Sequence, residues 1–209
     1  MLRGGIYAIL AVVALAFALA AIGTDIAHYG SANPDGSTFD NKVELWYLCQ
    51  SGGAGGTNSA NSGTTCFPAD EIGCTGLKDR FRTAQAFYIM TAIVLLVALV
   101  FAVLDHGNVH GFKHYKVLLL LFAVATIVFS VIGWAIAISI ARETFCEDDV
   151  NTRVGPIKDQ PSFEWRASPF LLVATSVISI AMFVFALVSP HHSTAGRVTH
   201  QPAYPAATA

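Results

Sequence analysis

Charge is scarce in this chain. Only 12% of its residues are Asp, Glu, Lys or Arg, about half the ~25% of an ordinary soluble domain. An ordinary cytosolic enzyme is therefore not expected. The charge present nearly balances, with 12 Lys+Arg against 14 Asp+Glu. No basic excess exists to neutralise phosphates, so nucleic acid is not an expected partner. No Asn-x-Ser/Thr acceptor occurs: Asn58-Ser59-Ala60 and Asn61-Ser62-Gly63 both fail, and N-glycosylation is not expected. G-x-S-x-G, H-E-x-x-H and G-x4-G-K-[ST] are all missing. No nucleophile–base pair stands out, so neither catalysis nor a cofactor is expected.

Apolar sequence is what the chain has in abundance, 54% of it, with a mean hydropathy of +0.56. It falls into four blocks, 6–22, 84–104, 117–141 and 170–188, free of charge over 17, 21, 25 and 19 residues. A helix needs about 20 apolar residues to cross the ~30 Å hydrocarbon core. Four spans are expected, and little polar sequence remains to cover them in water. The first block, after Met1-Leu2-Arg3 and with Ala18-Leu19-Ala20 near its end, also fits a secretory signal; its length favours a retained helix. The spans divide the chain into 1–22, a long loop 23–83, a span 84–104, a short loop 105–116, a span 117–141, a second long loop 142–169, a span 170–188 and a tail 189–209. No span holds Asp, Glu, Lys, Arg or His, the residues that mark ion paths and proton relays.

Four spans put the two long loops on one side and the short loop with both termini on the other. All four cysteines, Cys49, Cys66, Cys74 and Cys146, lie in the long loops. An even number confined to one face points to disulfides in an oxidising compartment. Their spacing lacks a C-x2-C pair, so zinc is not expected. The long-loop side is then extracellular and the termini cytoplasmic. Lys and Arg barely discriminate between the sides, but 13 of the 14 acids fall on the outer one, against 8 basic residues.

Within the first long loop, Thr38–Cys49 alternates, with Val43, Leu45 and Tyr47 on one face and Lys42, Glu44, Trp46 and Leu48 on the other, which predicts a strand. Ser51–Thr65 is a Gly/Ser/Asn connector, read as a hairpin tip, with no Lys-Ser/Thr to make it a phosphate loop. Ser162–Trp165 is a candidate extra strand. Seven alanines in the first span, and Gly133, Ser176 and Ser179 elsewhere, suit close helix packing. His106, His110 and His114 recur every four residues, but Gly107 and Gly111 between them favour a polar interfacial turn over a metal site.

Leu45-Trp46 with Cys49, Ile22-Gly23-Thr24-Asp25-Ile26 after the first span, and RFRTAQAF from Arg80 through Arg82 and Gln85 to Phe87 together resemble the claudin/peripheral-myelin-protein superfamily. Within it the chain resembles the amastins, surface proteins of trypanosomatids. The resemblance implies a mainly α membrane protein: a left-handed four-helix bundle with a small extracellular antiparallel β-sheet, at the plasma membrane. It implies a Cys49–Cys66 bridge; Cys74 and Cys146 are then expected to join the two long loops. It implies that Trp46 packs between the sheet and the helix ends, beside Phe81 or Phe170. At least one of Arg80 and Arg82 is expected to fold into the ectodomain and pair with a carboxylate, Asp25 and Asp79 being candidates, or to bond loop carbonyls. The expected function is a non-enzymatic surface protein whose ectodomain mediates lateral or cell-surface interactions. Its expected partners are the lipid bilayer and membrane proteins, laterally or on an apposed surface, with further copies of the chain as candidates. The alternative is a claudin-like pore-lining or channel-accessory subunit for small cations, which the acidic outer side favours.

Overall fold

A computed structural model describes residues 2–32, 38–53, 64–106, 115–146, 156–160 and 162–188. Four helices dominate it: α1 (Leu2–Ile22), α2 (Thr75–His106), α3 (Tyr115–Arg142) and α4 (Ala167–Val188). All four are long and apolar enough to cross a membrane. Each packs on two neighbours, α1 and α3 both lying between α2 and α4.

The buried positions of the helices follow one rule. In α1 they are 7, 11, 14, 18 and 21; in α2 they are 77, 81, 84, 88, 91, 95, 98 and 102. In α3 the series 119, 123, 126, 130, 133, 137 and 140 recurs, and in α4 168, 172, 175, 179, 182 and 186. Alternating steps of four and three average 3.5 residues, the period at which helices keep one seam in contact by winding left-handed about each other. Small or hydroxylated residues fill much of the seam: Ala11, Ala14, Ala18 and Ala21 in α1, Thr126, Ser130 and Gly133 in α3, Ser168, Thr175 and Ser179 in α4. A Cβ on Gly133 would stand 3.2 Å from the Tyr88 ring and 3.3 Å from Leu172, so glycine lets α3 approach both neighbours. The hydroxyls are satisfied locally or across the seam. Thr175 and Ser179 donate to the carbonyls four residues back, and Ser130 and Ser176 bond each other at 2.7 Å.

α2 is longer than its apolar block. Its 32 residues span about 48 Å at 1.5 Å each, well over the hydrocarbon core. Charge marks where the hydrocarbon ends and not where the helix begins, so residues 75–83, expected as loop, form the first turns of α2 and rise beyond the bundle.

Beside those turns lies a five-stranded antiparallel sheet in the order β4-β3-β2-β1-β5. Its strands are β1 (Ala27–Ala32), β2 (Thr38–Val43), β3 (Tyr47–Gly53), β4 (Thr64–Pro68) and β5 (Glu164–Trp165). The second long loop thus supplies one edge, pairing Ala27↔Trp165 and His28↔Glu164. The ends of the Gly/Ser/Asn connector belong to β3 and β4; residues 54–63 lie outside the described residues, as do His110, His114 and the tail 189–209. His106 closes α2.

Candidate functional site

The described part of the sheet end holds all four cysteines. Cys49 and Cys66 are directly opposed on β3 and β4 and form a disulfide with a Cα–Cα distance of 4.0 Å. Cys74, just before α2, forms a disulfide with Cys146, just after α3, with a Cα–Cα distance of 5.9 Å. The first bridge closes a hairpin; the second ties the two long loops together.

The expected strand over Thr38–Cys49 is broken in the middle. β2 ends at Val43 and β3 begins at Tyr47, with Val43 paired to Leu48. The Glu44 N–H donates to the Tyr47 carbonyl at 2.9 Å, which makes Leu45 and Trp46 the centre of a tight turn. Neither residue is a turn former in water. The turn is apolar because it points into the bundle. Leu45 is fully buried in the core that contains Phe81, Ala84 and Tyr88. Trp46, expected to be the buried peg, is half-buried against that core, and Phe170 is 61% exposed on α4.

The turn's backbone is held from two sides. Gln85 Nε2 donates to the Leu45 carbonyl at 3.0 Å, and the Ala69 N–H donates to the Trp46 carbonyl at 2.8 Å. A carbonyl left bare where water thins out would cost about 1–3 kcal/mol; Gln85 removes that cost. Nearby, Ser168 donates to the Ala21 carbonyl at 2.8 Å and shares a hydrogen bond with the Tyr88 hydroxyl at 3.2 Å. One buried hydroxyl thereby joins α1, α2 and α4.

Arg80 pairs with Glu143 at 3.0 Å, and not with Asp25 or Asp79. Glu143 follows the last turn of α3, which the Cys74–Cys146 bridge holds beside the start of α2. Both groups are more than two-fifths exposed, so the pair orients more than it stabilises. Arg82 is exposed, and no partner for it is seen among the described residues.

One cluster carries no signal in the sequence. Cross-strand register puts His28 opposite both Lys42 and Glu164, and His28 Nε2 contacts the Asp40 carboxylate. Arg166 approaches His28 Nδ1 at 3.2 Å and Glu164 at 3.4 Å. A guanidinium can only donate, so Nδ1 accepts and the ring proton of a neutral His28 sits on Nε2. These groups are brought together by strand pairing over as many as 138 residues, which no local spacing encodes. The other sheet face is different: burial raises the pKa of the Tyr29 phenol above its ordinary value. No group of three metal-ligating side chains occurs among the described residues.

What the arrangement does is fix a polar, two-loop surface onto a membrane bundle. No curated protein sequence matches the chain. The amastin surface glycoprotein family matches residues 12–186, a stretch that takes in the seam of α1 from Ala14 onward, the seams of the other three helices, the sheet and both disulfides. With four membrane-crossing helices below a disulfide-bonded sheet, the chain is a multi-pass membrane protein and belongs to the amastin family.

Proposed function

We propose that this amastin is a non-enzymatic protein of the plasma membrane, with both termini cytoplasmic, whose sheet end meets protein partners laterally or on an apposed surface. The observation that supports this most is the way the sheet is fastened. Two disulfides, the Leu45-Trp46 turn bonded by Gln85, and the pairing of β5 with β1 all constrain it. A surface ordered before contact loses less entropy on binding, so more of each contact appears as affinity. The polar face around His28, Asp40, Lys42, Glu164 and Arg166 supplies charges of both signs, which favour register and specificity over bulk affinity.

The test uses the full chain on cells. Beads or cells bearing it are expected to adhere to a partner surface, and a Cys49→Ser/Cys66→Ser variant delivered at equal density is expected to adhere less. Proteoliposomes containing the full chain are expected to pass small cations no faster than empty liposomes. Cation flux well above that background, with no adhesion, would contradict the reading and favour the pore-lining alternative.

A further inference from the structure

Among the described residues, the sheet face opposite the His28 cluster is only partly covered. Register places Tyr29, Asn41 and Gln50 in one row across β1, β2 and β3, and Leu48 beside Phe67 in the row nearer the bundle. Facing them are the first turns of α2 and the single turn Ile157–Asp159. Two adjoining hollows of about 380 and 360 Å³ lie between, both bordered by Tyr29, Leu48 and Phe67.

The hollows differ in chemistry. The lower one is closed by Ile72, Leu77, Phe81 and Ile157, with Glu71 the only charged residue among the described ones that line it. The upper one is closed by the amides of Gln50 and Gln160, with the buried Asn41 behind them. Depth separates them as well. Phe81 and Leu77 stand three and seven residues before Ala84, where the charge-free stretch begins, so they lie about 5 and 10 Å above it along the helix. The interfacial layer is about 5–7 Å deep on each side of the core, so Phe81 lies within it and Leu77 just above it. The lower hollow therefore sits at the membrane interface, and the upper one is wetter.

Occupancy follows from the lining. An apolar chain suits the lower hollow. Amides both donate and accept, which matches hydroxyl groups, and Phe67, 50% exposed at the rim, offers a ring face to an aliphatic or sugar C–H surface. Among the described residues no Lys or Arg lines either hollow, so a phosphate finds no cationic partner among them, and Glu71 repels one. We propose that this groove binds one neutral lipid with a hydroxylated head, its chain in the lower hollow and its head against the amides of the upper one. The site is distinct from the polar face assigned to protein partners, and either can fail without the other.

The experiment places the full chain in phosphatidylcholine nanodiscs doped equally with glucosylceramide and phosphatidylserine, and counts retained lipids by native mass spectrometry. One glucosylceramide per chain is expected to stay, and phosphatidylserine is not. Leu48→Trp, which fills the shared border, is expected to lower retention about tenfold, a loss of ~1.4 kcal/mol, with circular dichroism and both disulfides intact. Gln50→Ala, an exposed change that carries the test should Leu48→Trp misfold, is expected to lower retention of glucosylceramide but not of ceramide. Methyl glucoside at millimolar concentration is expected to displace nothing. Equal retention of phosphatidylserine, retention untouched by both variants, displacement by the free sugar, or cross-links showing residues 147–155 of the same chain in the groove would each overturn the proposal.

Discussion

Leu45 and Trp46 are neighbours in sequence and differ in burial. The family signature drew attention to the tryptophan, while alternation set Leu45 beside Val43 on the opposite face, and the leucine is the side chain that enters the bundle. At the tip of the tight turn one side chain dives and the other lies along the surface. Leu45→Ala is expected to cost about 3 kcal/mol or more as a core truncation, and Trp46→Ala only about 1–2, because part of the indole already meets solvent or headgroups. Thermal unfolding of the two variants in detergent gives the order; a larger loss for Trp46→Ala would mean that the indole is the anchor. Gln85→Ala leaves the Leu45 carbonyl without its donor and is expected to cost about 1–3 kcal/mol, which the same melts would register. Gln85 was visible in the sequence only as part of a run resembling the family. Its bond to a carbonyl 40 residues earlier was not, and neither was the choice of Glu143 over Asp25 by Arg80. Both depend on where the hairpin lands.

At the scale of the elements, the four helices were legible because charge-free runs of 17 residues or more have few other uses. Their packing faces were not legible from hydropathy, since in lipid the outer surface must be apolar too. The seam is written in residue size instead: alanine, serine, threonine and glycine at four-and-three spacing. Gly133 tests this. Gly133→Ala meets Tyr88 and Leu172 slightly too closely and is expected to cost about 1 kcal/mol; Gly133→Val adds two methyl groups and is expected to cost about 1–3 more. Equal stability of the two would mean that the seam has room to spare. The disulfides make a second test. Chain entropy alone assigns about 3 kcal/mol to a 17-residue loop and about 4 to a 72-residue one, the separations of Cys49–Cys66 and Cys74–Cys146. The longer loop, however, runs down α2 and back up α3, and a denatured state that keeps both helices in the membrane already holds its ends close. Removing Cys74–Cys146 by serine substitution is therefore expected to lower stability no more than removing Cys49–Cys66. A clearly larger loss would show that the spans leave the bilayer on unfolding.

For the whole molecule, the sheet end combines everything that tells one side of the membrane from the other. It has both disulfides, the His28 cluster and the groove, and 13 of the chain's 14 acidic residues fall on its side of the spans. Lys42 on β2 and Lys158 in the turn before β5 are exposed there, while Lys116 sits at the far end of the bundle, donating to the Leu187 carbonyl at 3.0 Å. A membrane-impermeant amine reagent applied to intact cells carrying the full chain, followed by mass spectrometry of its peptides, reads the orientation directly. Lys42 and Lys158 are expected to be labelled on intact cells, and Lys116 only after permeabilisation. Labelling of Lys116 on intact cells with Lys42 and Lys158 protected would place the sheet inside, and would contradict its role as the surface this protein presents.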